Sequence, residues 1–129
     1  MYQGYYRRAR LSTARLTGSR FTYPLLTNEN AKRADIIKAF LEIQTDKRIK
    51  TNNPILIFFA GHGDETDAPT GWPSGDVSNQ IQMIIPQDYS TNPARQVHGI
   101  PDHTLAALLN AIANEYGDNI VRNFLSTYP

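Results

Sequence analysis

The chain has 129 residues, 40% of them hydrophobic and 10% aromatic, with 13 Lys and Arg against 12 Asp and Glu and no cysteine. That composition suits one small globular domain, and its near-neutral charge gives no electrostatic ground for a nucleic-acid or membrane partner. The missing cysteines exclude disulfides, thiolate metal sites and a thiol nucleophile within the chain; with no apolar run near the ~18 residues of a membrane span and no secretory signal, the cytosol is the expected compartment.

Residues 1–19 hold Arg7, Arg8, Arg10 and Arg15 and no acid. They are expected to form a basic, poorly ordered segment, followed by a folded domain over 20–129. Two functional readings stand beside that one. The segment has the Arg- and Ser-rich character of a mitochondrial targeting peptide, and its interleaved tyrosines and arginines would also suit a nucleic-acid-binding arm.

"RFTYPLL" then reads as a short strand limited by Pro24. Thr27 or Asn28 is placed to cap a helix over "NENAKRADIIKAFLEIQ", whose Arg33 stem, Ile36, Ile37, Phe40 and Leu41 follow helical spacing. "TDKRIKTNN" is a polar connection. "ILIFFA", residues 55–60, is apolar on both faces, as in a strand buried on both sides of a sheet. "GHGDETDAPTGWPSGDVSNQ" reads as a long functional loop, "IQMIIP" as a strand stopped by Pro86, and "QDYSTNPARQVHG" as loop again. Pro101 and Asp102 open a second helix with the stripe Leu105, Leu108, Leu109, Ile112, Ala113 and Tyr116. Gly117 stands where a C-terminal cap belongs, and "NIV" begins a further strand. Helices alternating with buried strands predict an α/β domain with a mainly parallel sheet.

In such a sheet, ligands sit beyond the carboxyl ends of the strands, and His62 falls there. Gly61 and Gly63 would let the backbone turn sharply and approach a substrate closely. The Gly63 N–H could face a developing oxyanion, and a histidine can relay a proton between nucleophile and leaving group. A structural or surface histidine in a turn is the alternative. The other histidines, His98 and His103, are distant in sequence, and Asp64, Glu65 and Asp67 read as a solvated loop, so no metal site is expected.

Taken together, "ILIFFAGHGDETDAPTGWPSGD", "IQMIIPQDYS", "VHGIPDHTLAALLNAIANEYGDNI" and the upstream "LTNENAKRADIIKAF" resemble the caspase-like domain of fungal, mushroom-type metacaspase relatives over about residues 20–120. The resemblance implies a three-layer caspase-like fold, with a mainly parallel sheet flanked by helices, and a cysteine-type endopeptidase lineage. It makes His62 the general base that activates a cysteine, and Gly63 the residue whose N–H helps hold the oxyanion. Asp88 matches a family acid, beside its plainer reading as a loop cap. Trp72 is either a cleft-lining or a loop-pinning residue. Calcium stimulation and a peptide or protein substrate are implied for the intact family, and a caspase-like paralogue is a possible partner.

The departures are as informative. The family carries its nucleophile in a stretch like Asp-Cys-Cys-His-Ser-Gly after "GDNI"; here "VRNFLSTYP" follows, with Arg122 and Asn123 breaking the strand character. Ser126 falls nearest the expected cysteine, but a serine is far less acidic than a thiol. The family's first strand and its small-subunit segment have no counterpart in this sequence. The expectation is therefore an incomplete, inactive caspase-like fragment, truncated before the catalytic cysteine, or else a non-catalytic caspase-like binding module.

Overall fold

The computed structural model of the chain describes residue 26 and residues 28–68, 70, 71 and 79–127. The expected basic segment, most of the expected strand over 20–26, Thr27 and Trp72 lie outside the described residues.

Helix α1 covers Arg33–Gln44 and is preceded by a 3-10 turn over Asn28–Asn30. It buries Ile36, Ala39, Phe40 and Ile43, an i, i+3, i+4, i+7 set that turns one stripe into the core shared with α2 and β1. Leu41, expected inside, lies just off that stripe and is 48% exposed. The helix starts later than the sequence suggests, and its cap comes from far along the chain. Lys32 at the N-cap makes no side-chain bond; instead the Asp88 carboxylate accepts the Arg33 N–H at 2.9 Å. Asp88, read from sequence as a loop cap, caps a helix instead.

Strand β1 runs over Ile55–Asp67, well past the six residues expected of it. Its first half, through His62, pairs in parallel with β4 (Ile120–Thr127); its second half, from Gly63, pairs antiparallel with β2 (Gln80–Ile84). The stretch 61–67 is thus strand rather than loop, because β2 returns beside it and takes up its polar backbone groups. Strand β4 forms in spite of Arg122 and Asn123, which lie in register with Ile57 and Phe58. A two-residue strand, β3 (Ile100–Pro101), pairs with β2, giving the order β3-β2-β1-β4. The sheet is mixed, with one parallel pair and two antiparallel ones, where a mainly parallel sheet was expected. The architecture is α/β.

Helix α2, over Asp102–Tyr116, connects β3 to β4 and buries Leu105, Leu109, Ile112 and Tyr116. Its C-terminal Gly117 adopts φ 95, a left-handed conformation that favours glycine, and donates its N–H to Ala113 at 2.8 Å. The Tyr116 hydroxyl meets the carbonyls of Gln44 at 2.8 Å and Asp46 at 3.0 Å, tying the end of α2 to the end of α1.

Both helices share one core with the face of β1 that carries Ile55, Ile57 and Phe59. Ile57, Ile100 and Ile112 are completely buried, each contributing about 1.5–3 kcal/mol by transfer from water. Successive side chains of a strand point to opposite faces, and the alternate set of β1 is not covered to the same degree. Leu56 is 36% exposed and its register partner Val121 is 60% exposed, with Phe58 and Ala60 half-buried. Burial of "ILIFFA" on both faces is therefore corrected: among the described residues one face is covered, and this part of the fold has two layers.

Candidate functional site at the end of the parallel ladder

His62 lies at the point where β1 changes partners. It forms the last parallel pair, with Thr127, and its carbonyl accepts the Ile85 N–H at 2.9 Å beyond the end of β2. The expected position beyond the carboxyl end of a buried strand becomes the carboxyl end of the parallel ladder, inside a longer strand. The backbone there is extended, with no sharp turn at either glycine.

Gly61 has a different reason to be glycine. A Cβ built on it would stand 2.7 Å from Cζ of Phe59 and 3.1 Å from Cε1. Residues 59 and 61 share a face, and the Phe59 ring lies back over position 61. That ring is buried and tilted against Phe124, with centroids 6.3 Å apart at 47°. The glycine before His62 thus makes room for the core.

Three backbone bonds fix the direction of every amide along β1. Ile55 donates to Asn119, at the start of β4, at 3.0 Å; Ala68 donates to Asn79, beside β2, at 2.9 Å; and the His62 carbonyl faces β2. A residue's N–H and C=O point to the same side of a strand, and neighbours alternate. Even-numbered residues therefore face β2 and odd-numbered ones face β4. The Gly63 N–H faces the Thr127 end of β4, so it would have to exchange a strand partner for an oxyanion. The register also separates the two residues named from sequence: Ser126 pairs with Gly61, while His62 pairs with Thr127. Position 61 belongs to the helix-covered set of β1 and position 62 to the alternate set.

A cavity of about 240 Å³ opens beside Gly63, lined also by Asp64, Ile84, Asp102, Leu105 and Phe124. His62 does not line it. Asp102, at the head of α2, accepts the His103 N–H at 2.8 Å and lies 2.9 Å from Nδ1 of the same residue. Sequence reasoning took Asp102 only as a helix cap; its neighbour's histidine was the available signal for a second polar pair. Among the described residues no group of three or more His, Asp or Glu is arranged to hold a metal ion.

The groups with shifted acidities lie elsewhere, around the ends of α1 and α2. The side-chain hydrogen bonds from Arg48 hold the Asp46 carboxyl below its usual range, and burial pushes the Tyr116 phenol up, with Glu115 and Asp46 adding to the rise. These shifts accompany a structural junction. No family model matches the chain, and no curated protein or solved structure matches it either.

Proposed function

We propose that the chain is a partial caspase-like domain of cysteine-endopeptidase lineage, in which His62 is the general base and Gly63 the oxyanion-side donor. One observation carries the reading. The first half of β1, up to the Gly-His-Gly stretch, and β4 beside it run parallel, joined through a hairpin and a helix, and His62 stands at the last pair of their ladder. In the family resembled, base and nucleophile stand on neighbouring strand ends, and adjacent strands lie about 4.8 Å apart. A base at that distance can take a proton from a side chain on the same face, given hydrogen-bond reach of about 2.6–3.2 Å. The chain holds no thiol, so on its own it is an inactive member of that lineage.

Cysteine substitution tests the reading. Thr127→Cys gives a thiol opposite His62; Ser126→Cys gives one opposite Gly61. Alkylation by iodoacetamide near neutral pH should be accelerated in the first and should drop when His62→Ala is added. Equal rates with and without His62 would remove the dyad. The unsubstituted chain should cleave Arg-, Lys- or Asp-containing peptides no faster than background. Cleavage that His62→Ala abolishes would reinstate Ser126 as nucleophile.

A second reading, a non-catalytic caspase-like module that binds a protein partner such as a paralogue, is favoured by the exposed pair Leu56 and Val121. An exposed apolar sheet face is a common docking surface.

A further inference from the structure

A second cavity, of about 620 Å³, lies under the loop that follows Pro86 and does not include His62 in its lining. Arg33, Ser90, Thr91 and Thr104 line it, with Ile81 and Val97 forming part of its apolar wall. Two helices begin here: Arg33 is the first residue of α1 and Thr104 the third of α2.

Arg33 is the unusual member. Its Nε is buried, and among the described residues it is the one buried side-chain nitrogen or oxygen without a hydrogen-bond partner. A buried, unsatisfied donor on a charged group is costly and calls for a physical reason. The nearby Asp88 carboxylate accepts the Arg33 backbone N–H through Oδ1 but makes no ion pair with the guanidinium. The ion pairs of the described residues join Lys38 to Glu42, Arg48 to Asp46 and His103 to Asp102, leaving the Arg33 guanidinium unneutralised. One carboxylate, Asp67, does line the cavity, but it is an exposed residue at the end of β1 and solvent screens it.

We propose that this cavity binds a small organic anion, with its carboxylate or phosphate group on the Arg33 guanidinium. The planar guanidinium presents donors in a fork matched to either group. The hydroxyls of Ser90, Thr91 and Thr104 supply further donors. Ser90 Oγ already accepts the Asn92 N–H at 3.2 Å, which leaves its own hydrogen to give. The volume is that of a site for a ligand larger than a bare ion, and the apolar wall would cover the remainder of the molecule.

The test is a pair of titrations of the full chain followed by ¹H–¹⁵N spectra, one with inorganic phosphate and one with acetate, each matched in ionic strength against chloride. The expected result is saturable shifts at the Arg33 Nε–H and at the Ser90, Thr91 and Thr104 amides. Saturation by phosphate alone identifies a phosphate-bearing ligand; saturation by acetate identifies a carboxylate. Arg33→Gln should weaken binding by about tenfold or more, the loss of a charge-assisted hydrogen bond, and Arg33→Lys should recover part of it. Thr104→Val should weaken it by a smaller factor and serves as the measure if Arg33→Gln fails to fold. Shifts that do not saturate with either anion, or that saturate equally in Arg33→Gln and the unsubstituted chain, overturn the proposal. Because His62 lies outside this cavity, His62→Ala should leave both titrations unchanged, which keeps the outcome independent of the peptidase reading.

Discussion

Replacing Gly61 by alanine tests the account of the His62 strand most directly. The new methyl would meet Cζ of Phe59 at 2.7 Å and Cε1 at 3.1 Å, where carbon atoms prefer about 3.5–4.0 Å. The ring cannot swing clear, since it is 4% exposed and rests against Phe124. Over-packing of this kind costs about 1–3 kcal/mol. Alanine regains about 0.4–1 kcal/mol by restricting the unfolded chain. The net destabilisation is then about 1–2 kcal/mol, or a fall in Tm of about 4–12 °C for a domain this small. Urea titration and calorimetry would both read it. Phe59→Leu costs stability by itself, but it should make Gly61→Ala nearly harmless, so that the double-mutant cycle shows about 1 kcal/mol of coupling. A Gly61→Ala chain as stable as the original, or two substitutions that simply add, would refute the reasoning.

Asp88→Ala should cost about 1 kcal/mol by uncapping α1, measured as a lower urea midpoint at unchanged slope; an unchanged midpoint would count against the long-range cap. Asp46 and Tyr116 predict opposite limbs of the pH–stability curve. The folded-state value of Asp46 is lowered, so its contribution is full above the unfolded value and is lost as pH falls through the folded one, a decline below about pH 4 that Arg48→Met should flatten. Tyr116 is raised, so its contribution is intact below the ordinary phenol value and is lost as pH climbs through the raised one, a decline above about pH 10 that Tyr116→Phe should abolish. The exposed Leu56 and Val121 should make the chain self-associate or bind a partner; light scattering should drop on Leu56→Thr with Val121→Thr, and a monodisperse original chain with a sharp, reversible melt would contradict the open face.

Helix α2 was legible because everything local agreed: Pro101 before it, Gly117 after it, and a stripe from Leu105 to Tyr116 between. What the sequence hid depended on partners far along the chain. The polar run 61–67 has no strand signature of its own; it is extended because β2 returns beside it, with Thr66 opposite Ile81 and Asp64 opposite Met83. Arg122 and Asn123 look like breaks in a strand until β1 is seen to supply their neighbours. The cap of α1 lies 55 residues from the N–H it serves. At the candidate site, the Gly-His-Gly stretch was conspicuous, but the separation of Ser126 from His62 required the register. Arg33 was read as a stem on an apolar stripe; only the buried Nε and the cavity beside it make it a ligand-binding candidate.

The change of partner at His62 also sets a rhythm of hydrogen exchange along β1. Before the histidine, the odd-numbered amides point to β4; after it, the even-numbered amides point to β2. The amides of Ile57, Phe59 and Gly61 should therefore exchange slowly, with Leu56, Phe58 and Ala60 faster between them, while beyond the histidine Asp64 and Thr66 should be the slow ones. A single strand would carry two protection patterns out of phase. Its two halves would open with different partners, the first with β4 and α2, the second with the β2–β3 pair. The histidine would then stand at the boundary between two cooperative units, where loosening on either side changes its surroundings without unfolding the other.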